Sequence, residues 1–238
     1  MTNPLKFDKP LTTVDVVVFA VFADALHVLA VKRADITGEP YPNRWALPGG
    51  FIDTAKDVSL ESCAHRKLLE KTAITHAYLE QLGGWGNKTR DPRGWSSTHS
   101  FIALLSSDHI ANVRCGGNAT EVKWIKVTGA KFKEPLAFDH PLIVDAAIER
   151  LRSKVEYTSL PAFMVAREFT LSELQRTYEI VLDRKLEKSA FRTRVLSTDL
   201  VTEVPRFREG ANRPAQLYKL QSVKRAVFFQ RTFKPSGD

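Results

Sequence analysis

A glycine-rich loop followed by a charged helical segment is the part of the chain whose residue types suggest chemistry. Pro48-Gly49-Gly50 can bring its backbone close to a ligand, because glycine has no side chain to obstruct the approach. After it, Lys67, Glu70 and Lys71 share one helix face by their i, i+3, i+4 spacing. Mg²⁺ needs several hard oxygen ligands, which two ammonium groups cannot supply, whereas a phosphate is attracted by them. The face therefore predicts anion binding without a metal, and no catalytic residue is predicted.

Further residues in the first part of the chain are candidates for holding an anionic ligand. Arginine presents planar, paired donors to a phosphate, although a surface salt bridge explains each arginine equally well. Trp45 is a candidate for stacking on a base, and the alternative is a place in the core. The predicted ligand-binding residues are Arg33, Arg44, Trp45, Gly50, Phe51, Arg66, Glu70, Arg90, Asp91 and Arg93.

The last third of the chain carries most of the positive charge. From Leu160 to Asp238 there are fifteen Lys and Arg against nine Asp and Glu, so this part contributes +6 of the total +8. Clustered positive charge is expected of a protein that binds nucleic-acid phosphates, although basic solvated surfaces are also common.

A short helix in this basic part and the hairpin predicted after it could contact DNA. Phe191 and Val195, four residues apart, are expected to face the core and leave the polar side chains outward. The alternative for each outward residue is a solvated helix face. Asn212-Arg213-Pro214 suits a hairpin tip that enters a minor groove. The predicted DNA-binding residues are Thr170, Lys188, Ser189, Arg192, Thr193, Arg194, Arg208, Asn212 and Arg213.

The elements that must position these residues begin with a sheet. The β-branched and apolar runs Val14–Phe22 and Leu26–Lys32 predict a β-hairpin. The segment Asp57–Thr72 lacks Gly and Pro and has an apolar face, so it predicts a helix. Further strands are predicted at 77–85, 95–105 and 121–127, and a second helix at 141–154. Together they predict an α/β domain.

A second domain is predicted after this one. The regular pattern lapses at Thr158-Ser159-Leu160-Pro161, which we interpret as a linker between domains of residues 1–157 and 158–238. Thr170 and Glu173 fit a capping box that opens a helix ending near Leu182. A helix at 188–197 and strands at 201–207 and 216–220 follow. Helix, turn, helix and hairpin is the order of a winged helix domain.

The loop and first helix resemble the Nudix box of hydrolases that act on nucleoside diphosphates linked to another group. Residues 49–74 read GGFIDTAKDVSLESCAHRKLLEKTAI. Aligned on Arg66, the glutamates of the family's R-E-U-x-E-E core, where U is apolar, fall at Lys67, Glu70 and Lys71. The spacing from Gly50 is two residues too long, and Val58 and Ala73 replace the first Glu and the last Gly of the box. Segments 44–51 and 90–95 resemble the Nudix group that handles ADP-ribose.

With its C-terminal part included, the chain is similar to Nudix-related transcriptional regulators of NAD metabolism. The resemblance implies an α/β Nudix fold, a mixed sheet with flanking helices, followed by a small α+β winged helix-turn-helix domain. It also implies a homodimer that represses NAD biosynthesis genes from a palindromic double-stranded DNA operator. ADP-ribose or a related NAD metabolite would be its effector, and no cofactor is implied. The replaced carboxylates imply that the Nudix domain does not hydrolyse the effector.

Two other functions stay open from the sequence. An active Mg²⁺-dependent ADP-ribose pyrophosphatase would need a metal site rebuilt from carboxylates such as Asp53, Glu70 or Glu80. Alternatively, the C-terminal domain is a protein-interaction module.

The composition of the chain and its apolar runs indicate where in the cell the protein is expected. With 43% hydrophobic and 26% charged residues, the chain has the composition of a globular protein. Its longest apolar run, Val16–Ala23, is far shorter than the roughly 20 residues that span a bilayer. Met1–Pro10 lacks the features of a secretion signal, and the two cysteines have no metal-type spacing. We therefore expect a cytoplasmic protein without a membrane partner.

Overall fold

The structure, a computed structural model, describes residues 9–129, 132–209, 214–222 and 225–229. The strands are β1 Leu11–Phe22, β2 Ala25–Arg33, β3 Trp45–Ala46, β4 Gly49–Phe51, β5 Tyr78–Asn87, β6 Ser96–Leu104, β7 Ala119–Lys126, β8 Val201–Arg208 and β9 Ala215–Leu220. The α-helices are α1 Leu60–Thr72, α2 His140–Val155, α3 Leu171–Leu182 and α4 Lys188–Leu196. Short 3-10 helices occupy Ser107–Asn112 and Leu160–Phe163.

A mixed sheet forms the first domain, with β1 at its centre. Strand β1 pairs antiparallel with β2 and β4 and parallel with β6. It is apolar on both faces because both are covered: Val16 and Val18 pack toward α1, while Val17 and Phe19 pack toward α2. The predicted β1–β2 hairpin is confirmed. Its turn residues, at positions 23 and 24, have φ of 45° and 54°, as a tight hairpin turn with the twist of its strands requires.

Helix α1 begins at Leu60, three residues later than predicted. Ser59 is its N-cap, and the Ser59 and Ser62 side chains each accept the other's backbone N–H. The Asp57 carboxylate instead accepts the backbone N–H of Asp53, which closes the loop before the helix. The late start therefore reflects loop hydrogen bonds that helix periodicity does not register.

The segment 158–161, which we interpreted as a linker, is buried, unlike the exposed connections that usually join domains. Thr158 and Ser159 are fully buried and Leu160 is 3% exposed. Ser159 donates its backbone N–H to the Val227 carbonyl and accepts the Val227 N–H on its hydroxyl. The physical reason is that the apolar residues from Leu160 onward join a hydrophobic cluster that runs from the sheet through α2 into α3 and α4. A boundary between residues 157 and 158 stays a sequence prediction.

The second domain has the predicted order of elements. Thr170 and Glu173 cap α3 reciprocally, α4 follows, and β8 and β9 form an antiparallel hairpin. The predicted hairpin-tip residues Asn212 and Arg213 lie outside the described residues. In the part of the chain that the structure describes, no helix has the length and apolar character needed to cross a membrane.

Candidate ligand cleft and nucleic-acid interface

A cleft of about 190 Å³, with many charged residues in its lining, opens where the sheet meets α1 and the segment before α2. Six of the predicted ligand-binding residues line it, namely Arg33, Gly50, Phe51, Arg90, Asp91 and Arg93. Its other charged or titratable lining residues are Asp15, Lys32, Glu39, Lys67, Lys71 and His140. The cleft therefore gathers side chains from segments that are far apart in the sequence.

Two arginines converge in the cleft on a single carboxylate oxygen. Arg33 Nη2 lies 3.1 Å and Arg93 Nη1 lies 3.0 Å from Oε2 of Glu39. Arg33 lies over the Phe138 ring at 5.1 Å, and Arg93 over the Phe51 ring at 4.9 Å. Stacking on a ring fixes the plane of a guanidinium. The pair is therefore a preformed place for one negatively charged oxygen.

Asp91 orients the guanidinium of Arg93 through two hydrogen bonds. Arg93 donates from its Nε and Nη2 to the two carboxylate oxygens of Asp91, at 3.1 and 2.8 Å. These hydrogen bonds raise the pKa of Arg93. Burial acts to raise the pKa of Asp91, but the hydrogen bonds and charge of Arg93 outweigh it, so that pKa is lowered. Both groups are therefore charged at neutral pH.

Two ammonium groups from α1 face the cleft. A Cβ on Gly50 would lie only 3.3 Å from Lys67 Nζ, so the bare glycine leaves room for the Lys67 side chain. Burial lowers the pKa of Lys71, and the charge of Lys67 lowers it further. The residues that line this part of the cleft do not fit Mg²⁺, because ammonium groups supply no oxygen and repel the cation.

The carboxylates considered for a rebuilt metal site lie elsewhere. Asp53, Glu70 and Glu80 do not line the cleft. Asp53 pairs with Lys56 at 3.1 Å, and Glu80 is held by Lys154 at 2.6 Å. Glu70 pairs with Arg66 and Lys67.

A buried polar cluster joins the cleft to the beginning of α2. Arg90, predicted as a phosphate clamp, donates to both carboxylate oxygens of Asp139, at 2.9 and 2.8 Å, and lies 3.7 Å from Asp15. His140 Nδ1 accepts the backbone N–H of Leu47, and Nε2 lies 3.6 Å from Asp15.

The cluster keeps Asp15 ionised although it is buried. Burial acts to raise the pKa of Asp15, but His140, Thr98 and Arg90 together outweigh it and lower that pKa. Sequence reasoning missed this residue, as it missed His140 and Glu39. The available signal was that Asp15 is the one charged residue in the apolar strand β1.

Four predicted ligand residues lie outside the cleft lining. Arg66 binds both carboxylate oxygens of Asp57 and lies 2.9 Å from Glu70, so its donors are used within the protein. Trp45 is half-buried against the core, with Lys123 Nζ 5.8 Å from its ring, which matches the alternative we gave for it. Arg44 is exposed and Glu70 is partly buried.

The exposed face of α4 carries four of the nine predicted DNA-binding residues. Phe191 is 6% and Val195 1% exposed, as predicted for the inward face. The exposed residues of this helix include Lys188, Ser189, Arg192 and Thr193. A groove beside Lys188 and Arg192 is also lined by Thr170 on α3 and Gln216 on β9. This is the side on which a winged helix domain presents its recognition helix.

Three predicted DNA-binding residues are engaged within the protein. The Thr170 hydroxyl accepts the backbone N–H of Glu173, and Arg208 is paired with Glu173. Arg194 Nη2 donates to the carbonyl of Glu156 at 2.9 Å, and its guanidinium lies 4.7 Å from the Phe229 ring centroid. The Arg194 guanidinium therefore points toward the end of α2.

Comparison with known proteins matches both parts of the chain. Residues 11–146 match the family described as NUDIX domain, and residues 161–220 match the family described as NrtR DNA-binding winged helix domain. Over 213 residues, the chain is 42% identical to the ADPR responsive transcriptional repressor NtrR of Acinetobacter baylyi, covering 90% of this chain and 83% of that protein.

Two solved structures extend the likeness. The crystal structure of Shewanella oneidensis NrtR complexed with a 27mer DNA has a TM-score of 0.78 and 41% identity, over 88% of this chain and 93% of that one. The NUDIX domain of the Shewanella protein complexed with ADP ribose has a TM-score of 0.56 and 41% identity, over 63% of this chain and 94% of that one. The predicted fold class, a Nudix fold followed by a winged helix domain, is confirmed.

Proposed function

Since this chain belongs to the NrtR family of Nudix-related transcriptional regulators, we propose that it is a DNA-binding repressor that ADP-ribose, bound in the Nudix cleft, releases from its operator. The Acinetobacter relative is described as ADPR responsive. The Shewanella relative was solved in complex with DNA, and its NUDIX domain was solved separately in complex with ADP ribose. The genes that it represses are those of NAD biosynthesis or salvage, as the family resemblance implies.

The observation that carries the proposal is the cationic, carboxylate-poor face of α1 in the cleft. Lys67 and Lys71 line the cleft where the enzymes of the fold have metal-binding glutamates. A pyrophosphate carries the opposite charge and can be held by these ammonium groups and by Arg33 and Arg93 without a metal. The domain then senses its ligand and does not hydrolyse it.

The exposed face of α4 supports the DNA-binding part. Lys188 and Arg192 are exposed beside a groove, and their charges are available to phosphates or base edges. A homodimer would present two such helices to two half-sites, which accounts for a palindromic operator.

The experiment that tests the function is fluorescence anisotropy with labelled DNA from upstream of the genes that neighbour this one. The full chain is titrated at two salt concentrations, and ADP-ribose is then added in the presence of EDTA. We expect tight, salt-sensitive binding that ADP-ribose reverses without Mg²⁺. Effector binding that leaves DNA affinity unchanged would contradict the proposal.

A parallel assay for AMP release tests the absence of hydrolysis. ADP-ribose is incubated with the protein and Mg²⁺, with Glu70→Gln as the comparison. We expect no release above the protein-free rate. Mg²⁺-dependent release that the substitution abolishes would establish the enzyme instead.

A further inference from the structure

Helix α2 has one end in the ligand cleft and the other against the winged helix domain. His140, its first residue, and Phe138, two residues earlier, line the cleft, and Arg90 binds Asp139, the N-cap. Its sixteen residues span about 24 Å at about 1.5 Å per residue. One element therefore reaches from the effector site to the DNA-binding part.

The body of this helix is packed too tightly to bend independently. Ile143, Val144, Ala147 and Leu151 have no exposed surface, and they lie in the hydrophobic cluster that also contains residues of α3 and α4. Close-packed helices shift as units instead of deforming continuously. A displacement at one end of α2 is therefore carried to the other.

Hydrogen bonds and an ion pair connect the C-terminal end of α2 to α3, to α4 and to the turn between them. Arg152 Nε donates to the Val181 carbonyl of α3 at 3.1 Å. Arg184, in the turn between α3 and α4, pairs with the Glu156 carboxylate at 2.7 Å. The Glu156 carbonyl in turn accepts the hydrogen bond from Arg194 of α4, whose guanidinium stacks on Phe229.

We propose that Arg194 is a positioning residue that ties the recognition helix α4 to α2, so that a cleft ligand acting on the beginning of α2 changes the placement of α4. This inference rests on the proposed function and deepens it by naming the joint through which the effector acts. The cleft meets the beginning of α2 at Phe138 and His140, which line it together with Arg90, so a ligand seated there would act on this end of the helix. The coupling requires that the ligand bind the two placements of α2 with different affinities.

The competing interpretation is that Arg194 contacts DNA from the outward face of α4. Arg194 is exposed, as Lys188 and Arg192 are, but its guanidinium lies over Phe229 and gives one donor to Glu156, whereas Lys188 and Arg192 line the groove. The two interpretations predict different results. A DNA contact changes affinity and its salt dependence, while a positioning residue changes the effect of the ligand on affinity.

The test compares Arg194→Ala with the wild-type full chain. The release factor is the ratio of the DNA dissociation constant at saturating ADP-ribose to the constant without it, both measured by anisotropy. ADP-ribose affinity is measured separately by calorimetry. Lys185→Ala is the matched control, because Lys185 pairs with Glu179 in the same domain and its loss removes one positive charge without touching α2.

We expect a wild-type release factor of about fivefold or more. Arg194→Ala should still bind ADP-ribose, and it should bind DNA with an unchanged salt slope. It should nevertheless lose most of the release factor, whereas Lys185→Ala should keep it. Arg194→Lys, which retains a donor for the Glu156 carbonyl, should recover part of the factor. If Arg194→Ala does not fold, Arg184→Ala tests the same joint through an exposed pair.

Other outcomes overturn the inference. A full release factor in Arg194→Ala, with a salt slope lowered by about one, would identify a DNA phosphate contact instead. A wild-type release factor of one with normal DNA binding would reject the proposed function itself, and this inference with it. The wild-type measurement therefore separates the two failures.

Discussion

At the scale of single residues, the unexpected feature of the cleft is that the protein supplies an anion of its own. Glu39 places one carboxylate oxygen between Arg33 and Arg93, which are the groups best arranged to hold a phosphate. A pyrophosphate bound as proposed would have to displace that oxygen before both guanidinium groups could contact it. If the effector binds there as proposed, Glu39 competes with it and raises the effector concentration needed for binding.

Replacing Glu39 with Gln should tighten ADP-ribose binding. The glutamine is similar in size but removes the competing charge, and a partly exposed ion pair contributes up to about 1 kcal/mol. We expect the affinity, measured by calorimetry without Mg²⁺, to rise by about two- to fivefold. Glu61→Gln, on the solvent side of α1, is the control and should change nothing. A weaker affinity would mean that Glu39 itself contacts the ligand.

The sequence identified the residue types of the cleft better than their partners. Arg93 could be predicted because arginine presents paired donors to a phosphate and because segment 90–95 resembles the Nudix group that handles ADP-ribose, and Arg33 was named with it. Arg66 belonged to the same class, but Asp57 and Glu70 take up its donors, and such pairing depends on side-chain geometry. Contacts such as Asp15 with His140 join segments more than a hundred residues apart, and no local pattern reports them.

At the scale of elements, the loop before α1 is fixed by an ion pair. Arg66 donates to both oxygens of Asp57, and these hydrogen bonds hold the pKa of that carboxyl well below its ordinary value of 3.8. The folded state then binds fewer protons than the unfolded state around that pH. The contribution of the pair to stability is therefore present above pH 3.8 and is lost as the pH falls below it.

Asp57→Asn should destabilise the protein in a pH-dependent way. The difference in unfolding free energy from wild type, obtained from urea titrations, should be largest near neutral pH. It should shrink as the pH falls below about 4, where wild-type Asp57 loses its advantage. A difference that stays constant across this range would show that the charge of Asp57 is not what matters.

Arg192→Ala tests the recognition helix. Because Arg192 is exposed beside the groove at α4, its loss should weaken DNA binding and lower the salt slope by about one if it contacts a phosphate. If it reads a base, the loss should be about 1–3 kcal/mol and should relax specificity at one position. Arg150→Ala on α2 is the control, and equal behaviour of the two variants would contradict the assignment.

The bounds of helices could be predicted from the sequence where local patterns such as a capping box mark them. The capping box located the start of α3, and the predicted bounds of α3 and α4 agree with the structure to within one residue at each end. The burial of the segment interpreted as a linker could not be predicted in this way. Its Ser and Pro are typical of exposed turns, but Leu160 is inserted into a core contributed by both domains, and burial of that kind depends on the tertiary fold.

At the scale of the whole molecule, the two domains share one hydrophobic core. We therefore expect a single cooperative unfolding transition. Leu160→Ala should lower the unfolding free energy by about 2–5 kcal/mol, because it leaves a cavity in that core. All four tryptophans lie between residues 45 and 124, so their fluorescence reports on the first domain. The unfolding free energies obtained from this fluorescence and from hydrogen exchange of α3 should fall together.

The control for this substitution is Leu142→Ala, whose leucine is 63% exposed and should cost little. Two separate transitions, or a shift in only one of the two signals, would show that the domains unfold independently.

The buried joint also limits how such proteins can be recombined. A chimera that fused a foreign winged helix after residue 157 would leave Leu151 and Val155, now 0% and 2% exposed, without their neighbours. Moving the cut to the start of α2 would spare those contacts but would remove His140 from the cleft. Sensor and reader are therefore not interchangeable modules, and a new operator specificity is better obtained by changing surface residues of α4 than by grafting a domain.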